Sequence, residues 1–184
     1  MGKSQVESFF SASFEEKYDD LIYEKSASCR ERALENWGLE SVNIAMDALR
    51  VFVTPFCRQL GDAGLKIKFA KNNKLMSSNH QATVILLANY ELFFYRLTYS
   101  LISPIKSEIS AIFSYGDITT LILSESVARY YSLENPQEAV FSPERKCSLC
   151  VKDGSKFDFF IDNSPQSFDM IQHIRKEIFA KKSV

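Results

Sequence analysis

The chain has little of several residue types on which familiar protein chemistry depends. Its 184 residues include 6 glycines, 5 prolines, 4 cysteines, 2 histidines and 1 tryptophan. The glycines, at 2, 38, 61, 64, 116 and 154, stand apart. They form no glycine-rich loop that could cradle a phosphate, and each reads as a terminus, a cap or a turn. Four cysteines in a chain of this length are too few for a disulfide framework, so reduced thiols are expected. With two histidines and no GxSxG elbow, the usual acid–base and nucleophile arrangements have few residues to draw on. Excess charge is missing too. Lys and Arg number 22, Asp and Glu 23, and the formal net charge is −1. Such a chain has no global field to draw it onto nucleic acid.

Long apolar runs are also absent. The longest, Val84-Ile85-Leu86-Leu87-Ala88, falls far short of the ~18–20 residues of a membrane span. The first residues lack the apolar core of a signal peptide. Met1-Gly2-Lys3-Ser4-Gln5 opens like a myristoylation signal, but Val6 stands where Ser or Thr is required. A cytoplasmic protein without a membrane span is expected.

What is present is hydrophobic and aromatic: 46% and 13% of residues, with 15 Phe and 8 Tyr. That excludes disorder and supports one domain across 1–184. The ends differ in sign. Residues 1–24 set Lys3 and Lys17 against Glu7, Glu15, Glu16, Asp19, Asp20 and Glu24, while 165–184 set Arg175, Lys176, Lys181 and Lys182 against Asp169 and Glu177. Solvated faces of amphipathic helices account for both.

The order of elements follows from periodicity. Region 4–62 reads as helical. Ser4 and Glu7 form a capping-box pattern. Val6, Phe10, Phe14, Tyr18 and Ile22 recur every four residues, the stripe continues through Cys29, Ala33 and Trp37, and Gly38 is a natural stop. A second helix is predicted from Ser41 to Leu60, with Pro55 as an interruption. Region 65–162 reads mainly as strands. Leu65, Ile67 and Phe69 alternate, a polar loop is expected at 72–73 and 77–80, and 82–88 and 91–101 carry apolar residues on both faces, as doubly covered strands do. Ile109, Ala111, Phe113 and Tyr115 alternate again. Gly116-Asp117 then predicts a turn into 118–124 as the paired strand. Asp153-Gly154 predicts a two-residue hairpin between 145–152 and 155–162. In 164–182 Ser164 caps a last helix, Pro165 opens it, and Phe168, Ile171, Ile174 and Ile178 form its buried stripe. The fold expected is α+β: a mostly antiparallel sheet of about six or seven strands against two N-terminal helices and one C-terminal helix.

Few residues suggest chemistry. Cys147 and Cys150 have a metal-like spacing, but no second CxxC exists. Three residues apart on a regular strand, they point to opposite faces, so structural thiols are favoured over metal ligands. His173 sits opposite the apolar stripe of its helix and should face water, and His80 falls in the expected polar loop. Lys66, Lys68, Lys71 and Lys74 resemble lysines that guard an edge strand, and no RNA- or DNA-binding pattern accompanies them. Six of the 8 tyrosines fall within 90–131. From that region Tyr95, Arg96, Tyr99, Tyr115, Arg129 and Tyr130 are the candidates for contact with a partner or ligand, because Tyr and Arg combine apolar area with a polar tip. No cofactor is expected. The function expected is a non-catalytic binding or protein–protein interaction protein, whose partner is another protein or a second copy. The alternative is a small-ligand protein or small-substrate enzyme with a cavity between sheet and helices. Metal and nucleic-acid binding are less favoured.

Overall fold

The computed structural model describes residues 9, 11–40, 48–58, 60, 65–70, 74–131 and 139–182. Among them the fold is α+β, with two α-helices and three antiparallel sheets. Helix α1 spans Ala12–Trp37. Ser11 caps it, its Oγ accepting from the Phe14 amide, and Gly38 ends it at φ +66°. Its amide donates to the Glu35 and Leu34 carbonyls, a reversal that glycine adopts without strain. The capping box at Ser4 and Glu7 and the stripe residues Val6 and Phe10 lie outside the described residues.

Strands β1 (Leu49–Pro55), β4 (Asn79–Leu87), β5 (Glu91–Ser100) and β6 (Lys106–Ser114) form one sheet in that order. The second N-terminal helix is therefore corrected to strand β1 over 49–55; residues 41–47 lie outside the described part. Val51, Val53 and Thr54 are β-branched and favour the extended chain. Pro55 closes an edge strand, a place where its missing N–H costs no ladder bond. Strands β2 (Ile67–Phe69) and β3 (Leu75–Ser77) make a small second sheet. The expected polar loop at 77–80 is instead the end of β3 and the start of β4, and Ser77, Ser78, Asn79 and His80 are all buried. Lys68 and Lys74 do not guard an edge. They reach α1, where Lys68 Nζ lies 3.7 Å from Glu15 and Lys74 Nζ 2.6 Å from Asp19.

Strands β7 (Ile118–Tyr131), β8 (Ala139–Val151) and β9 (Lys156–Ile161) form the third sheet. So 118–124 does not pair with 109–115. Gly116-Asp117 belongs to a 3-10 turn, Tyr115–Asp117, that carries the chain from one sheet to another. The β8–β9 hairpin is present with its register moved by one. Cys150 faces Lys156 and Cys147 faces Phe159, and Val151 N–H donates to the Ser155 carbonyl. The loop is thus Lys152-Asp153-Gly154, with Gly154 at φ +89°, the three-residue form that places glycine last. Helix α2 spans Pro165–Lys181, and the Ser164 hydroxyl caps it by accepting from the Ser167 amide. Ile171, Ile174 and Ile178 are buried, but Phe168 is 38% exposed, with the Arg145 guanidinium over its ring.

The sheet β1-β4-β5-β6 is covered on both faces. Cys29, Ala33, Leu34 and Trp37 of α1 pack on Ala82, Val84, Leu86, Phe93, Tyr95, Leu97 and Tyr99. On the other face Phe52, Ile85, Leu87, Leu92 and Phe94 meet Leu121, Cys147, Leu149 and Phe159 of the third sheet together with the three buried isoleucines of α2. No helix among the described residues is long and apolar enough to cross a membrane.

Candidate functional site

The structure separates the candidate residues into three places. Tyr95, Tyr99 and Tyr115 are 0%, 4% and 2% exposed and offer no surface to a partner. Burial pushes all three phenols above their ordinary pKa, Tyr115 to about 12. Tyr95 and Tyr99 lie under α1, as their shared strand face requires. Tyr115 donates to the Ala88 carbonyl at 2.8 Å, with Lys181 over its ring.

Beside Tyr99 lies a buried polar cluster that the sequence did not disclose. The Tyr18 hydroxyl contacts His80 Nε2 at 3.1 Å, accepts from the Ser77 amide at 2.8 Å and lies 3.1 Å from the Ser77 carbonyl. His80 stacks on Tyr99 at 5.9 Å. Burial lowers the His80 pKa to about 3, so the imidazole is neutral near pH 7. His173 is exposed, as expected. Cys147 sits in the inter-sheet core, and burial drives its thiol to about 12. Cys150 lies on the opposite strand face with its Sγ directed at the Ser148 carbonyl. No group of three metal-ligating side chains occurs among the described residues.

Arg96 occupies the second place, on the other side of β5 from its neighbour Tyr95. Its guanidinium donates to the Asp158 carbonyl across the gap between sheets. The Asp158 carboxylate accepts from Ser148 at 2.5 Å and Lys146 at 3.3 Å, and the Phe160 amide donates to Gln81 Oε1 at 2.8 Å. Burial lowers the pKa of Arg96, opposed by the charge of Asp158. Burial also opposes charge on Asp158, yet the bonds from Ser148 and Lys146, with the charges of Lys146 and Arg96, outweigh it and hold the carboxyl low. Arg96, Asp158, Lys146 and Gln81 line an open cleft of about 320 Å³ with Arg58, Phe56 and Phe160.

Arg129 occupies the third place, on an arm. Strand β9 pairs with β8 only from Arg145 to Cys150. Beyond it, β7 and β8 continue as a two-stranded ribbon, from Ser126 opposite Glu144 to Tyr131 opposite Ala139. The Tyr130 side chain lies outside the described part. Val127 is 68% exposed, and Glu125 and Arg129 are exposed on the same strand face.

The direction of the β7 backbone can be worked out. The Pro143 carbonyl accepts from Asn163 Nδ2 at 3.0 Å, on the side away from β7. In an antiparallel strand a residue's N–H and C=O point the same way. Pro143 and its partner Val127 are thus a pair without mutual hydrogen bonds, and Val127 turns its own N–H and C=O outward. The same parity holds along β7, because the Leu121 carbonyl accepts from Arg175 Nε, on α2, at 2.9 Å. Lys182 likewise donates to the Thr119 carbonyl. Two cations from the C-terminal segment therefore cover the first part of this edge. At Leu123, Glu125 and Val127 the outward groups meet no partner among the described residues.

Comparison of the chain with protein-family models, curated proteins and solved structures finds no match.

Proposed function

We propose that the protein is a non-catalytic interaction protein that receives an extended strand of a protein partner along the open edge of β7. The observation that carries this reading is the contrast along one strand. Among the described residues the edge is capped by Arg175 at Leu121 and by Lys182 at Thr119 and meets no partner at Leu123, Glu125 and Val127, where an exposed aliphatic side chain sits between charged ones. Strand addition uses such an edge: backbone groups supply affinity and alternate side chains supply selectivity. A binding role also accords with the state of the buried thiols and imidazole, which burial holds uncharged. No disulfide is found among the described residues, which accords with a reducing setting.

The test is an NMR titration with a short lysine-tagged peptide of alternating threonine and valine. Shifts confined to the amides of Leu123, Glu125 and Val127 and their neighbours are expected, and N-methylation of the peptide's alternate residues should abolish them. A peptide that leaves β7 unperturbed removes this reading.

A second reading rests on the Arg96 cleft. Arg58, Arg96 and Lys146 converge there beside Phe56 and Phe160, a combination suited to a small organic anion with an apolar body. Titration with benzoate tests it, with loss of binding expected on Arg96→Met.

A further inference from the structure

A cleft of about 200 Å³ opens where the flank of α1 passes the link from β5 to β6. Lys25, Ser28 and Arg32, on one row of the helix, form a wall of it. Leu97 and Tyr99 of β5 and Ile105 beyond it supply apolar surface. Among the described residues the lining holds three cations, Lys25, Arg32 and Lys106, and no carboxylate. The cations gather at two ends. Lys25 Nζ donates to the Ser100 carbonyl at 2.8 Å. Arg32 Nη2 and Lys106 Nζ meet Glu108 Oε1 at 2.9 and 2.6 Å. We infer that this cleft binds a short dicarboxylate, with one carboxylate at Lys25, the other at Arg32 and Lys106, and its methylene body along Leu97 and Tyr99. The site is separate from the β7 edge, and neither reading depends on the other.

Charge, spacing and size each support this ligand. Lys25 is half-buried, and its hydrogen bond goes to a neutral carbonyl, with no carboxylate paired to it among the described residues. Burial lowers its pKa accordingly. An ammonium withdrawn from water without a counter-ion carries a desolvation cost that a bound anion offsets. At the other end one carboxylate, Glu108, serves two cations, so one positive charge is left over. Each end therefore has room for one negative charge. The distance between the ends follows from two rulers. Lys25 and Arg32 lie about 10.5 Å apart along α1 by the helical rise. Their contacts, Ser100 and Glu108, differ by three positions of β5, since Glu108 stands opposite Leu97, which is about 10 Å by the strand rise. Carboxylates held about 2.7–2.9 Å from their cations leave about two or three methylene groups between them. A single compact anion reaches one end only. The volume lies below the about 300–1,000 Å³ of clefts that hold drug-sized ligands, which disfavours anything as large as a nucleotide.

NMR titration of the full chain with glutarate, butyrate and inorganic phosphate, at one ionic strength, is the test. Glutarate is expected to give saturable shifts at the amides of Lys25, Ser28, Arg32 and Lys106. Butyrate, which has the body but one carboxylate, and phosphate, which has the charge but not the span, should each bind about tenfold more weakly or worse. Lys25→Met keeps the apolar stem and removes the charge at one end. It should bind glutarate and butyrate within about threefold of each other, a loss of preference that general misfolding does not produce. Glu108→Gln removes the carboxylate that competes for Arg32 and Lys106, and should tighten glutarate by about threefold or more. A gain of affinity cannot come from damage to the fold. Any of four results would overturn the inference: no saturable glutarate binding, butyrate or phosphate bound as well as glutarate, a Lys25→Met protein that keeps the full preference for glutarate, or a Glu108→Gln protein that binds it no better than wild type.

Discussion

The two faces of the sheet β1-β4-β5-β6 treat polar groups in opposite ways. Under α1, polar atoms are enclosed and uncharged: the Tyr18 hydroxyl, the His80 imidazole and the Tyr99 phenol sit together away from water. Towards the third sheet, the apolar end of the face at Phe52, Ile85 and Phe94 grades into Thr83, Gln81, Arg96 and Thr98, and a full charge stands at the mouth of an open cleft. Tyr95 and Arg96 are neighbours in sequence and fall on different sides solely through strand alternation. The face closed by one long helix holds its polar groups as structure. The face closed by a second, narrower sheet leaves polar groups at a boundary with solvent.

If the inter-sheet face is the heavier part of the core, the largest effect belongs there. Phe159 is fully buried and meets the rings of Phe52 and Phe94 at 5.7 and 5.9 Å. Phe159→Ala should cost about 3–5 kcal/mol in denaturant-induced unfolding. Trp37→Ala, at the end of α1 against Phe93, should cost less, because Trp37 lies at the margin of its cluster and keeps some exposure. The reverse order would make α1 the dominant layer.

The next effect isolates the α1 face through acid. The folded-state pKa of His80 is about 3, against an ordinary 6.5. The unfolded chain therefore binds a proton between these values that the folded one does not. The stability gained from a neutral His80 is complete above pH 6.5 and is lost as pH falls toward 3. At pH 4.5 the loss amounts to about 2–3 kcal/mol relative to neutral pH. Thermal or urea unfolding of wild type and His80→Gln across this window checks it. Carboxylates titrate in both proteins, so the difference between the two curves reports His80, and parallel curves would refute the assignment. Tyr18→Phe should follow at about 1–3 kcal/mol, because it strips the Ser77 amide and His80 Nε2 of a buried partner.

Local signals in the sequence located what local chemistry decides. Gly38 ends α1, Ser164 and Pro165 open α2, and Gly154 turns the β8–β9 hairpin, because each meets a backbone requirement that few other residues satisfy. Failures came where the decision is made at a distance. The apolar positions from Ile44 to Leu60 fit a helical face, and only the β-branched run around Val51 and the presence of Pro55 argued for strand β1. Gly116-Asp117 has the form of a hairpin turn, yet its flanking strands enter different sheets, and no local feature reports that. The same holds for the candidate site. Alternation puts Phe93, Tyr95, Leu97 and Tyr99 on one face of β5 but does not say that α1 covers it. Arg129 was identifiable by residue type. Glu125 was not, since its interest depends on β7 being an edge, which is a property of the whole topology.

The smallest effect tests what holds α1 to the sheet. Arg32 Nη2 lies 2.9 Å from Glu108 Oε1 on β6, and Lys106 Nζ reaches the same oxygen at 2.6 Å. The hydrogen bond from Lys106, ahead of the charges of Arg32 and Lys106, holds the Glu108 carboxyl below its ordinary range against the opposing effect of burial. Glu108 therefore retains a cation when Arg32 is removed, and both side chains of the helix–sheet pair are about one-third exposed. A double-mutant cycle with Arg32→Ala and Glu108→Ala should give a coupling below about 1 kcal/mol, smaller still in high salt. A larger, salt-insensitive coupling would mean that charge at the rim positions α1. A small one leaves that role to Cys29, Ala33 and Leu34, whose burial against β4 and β5 removes apolar surface from water whatever the ionic strength.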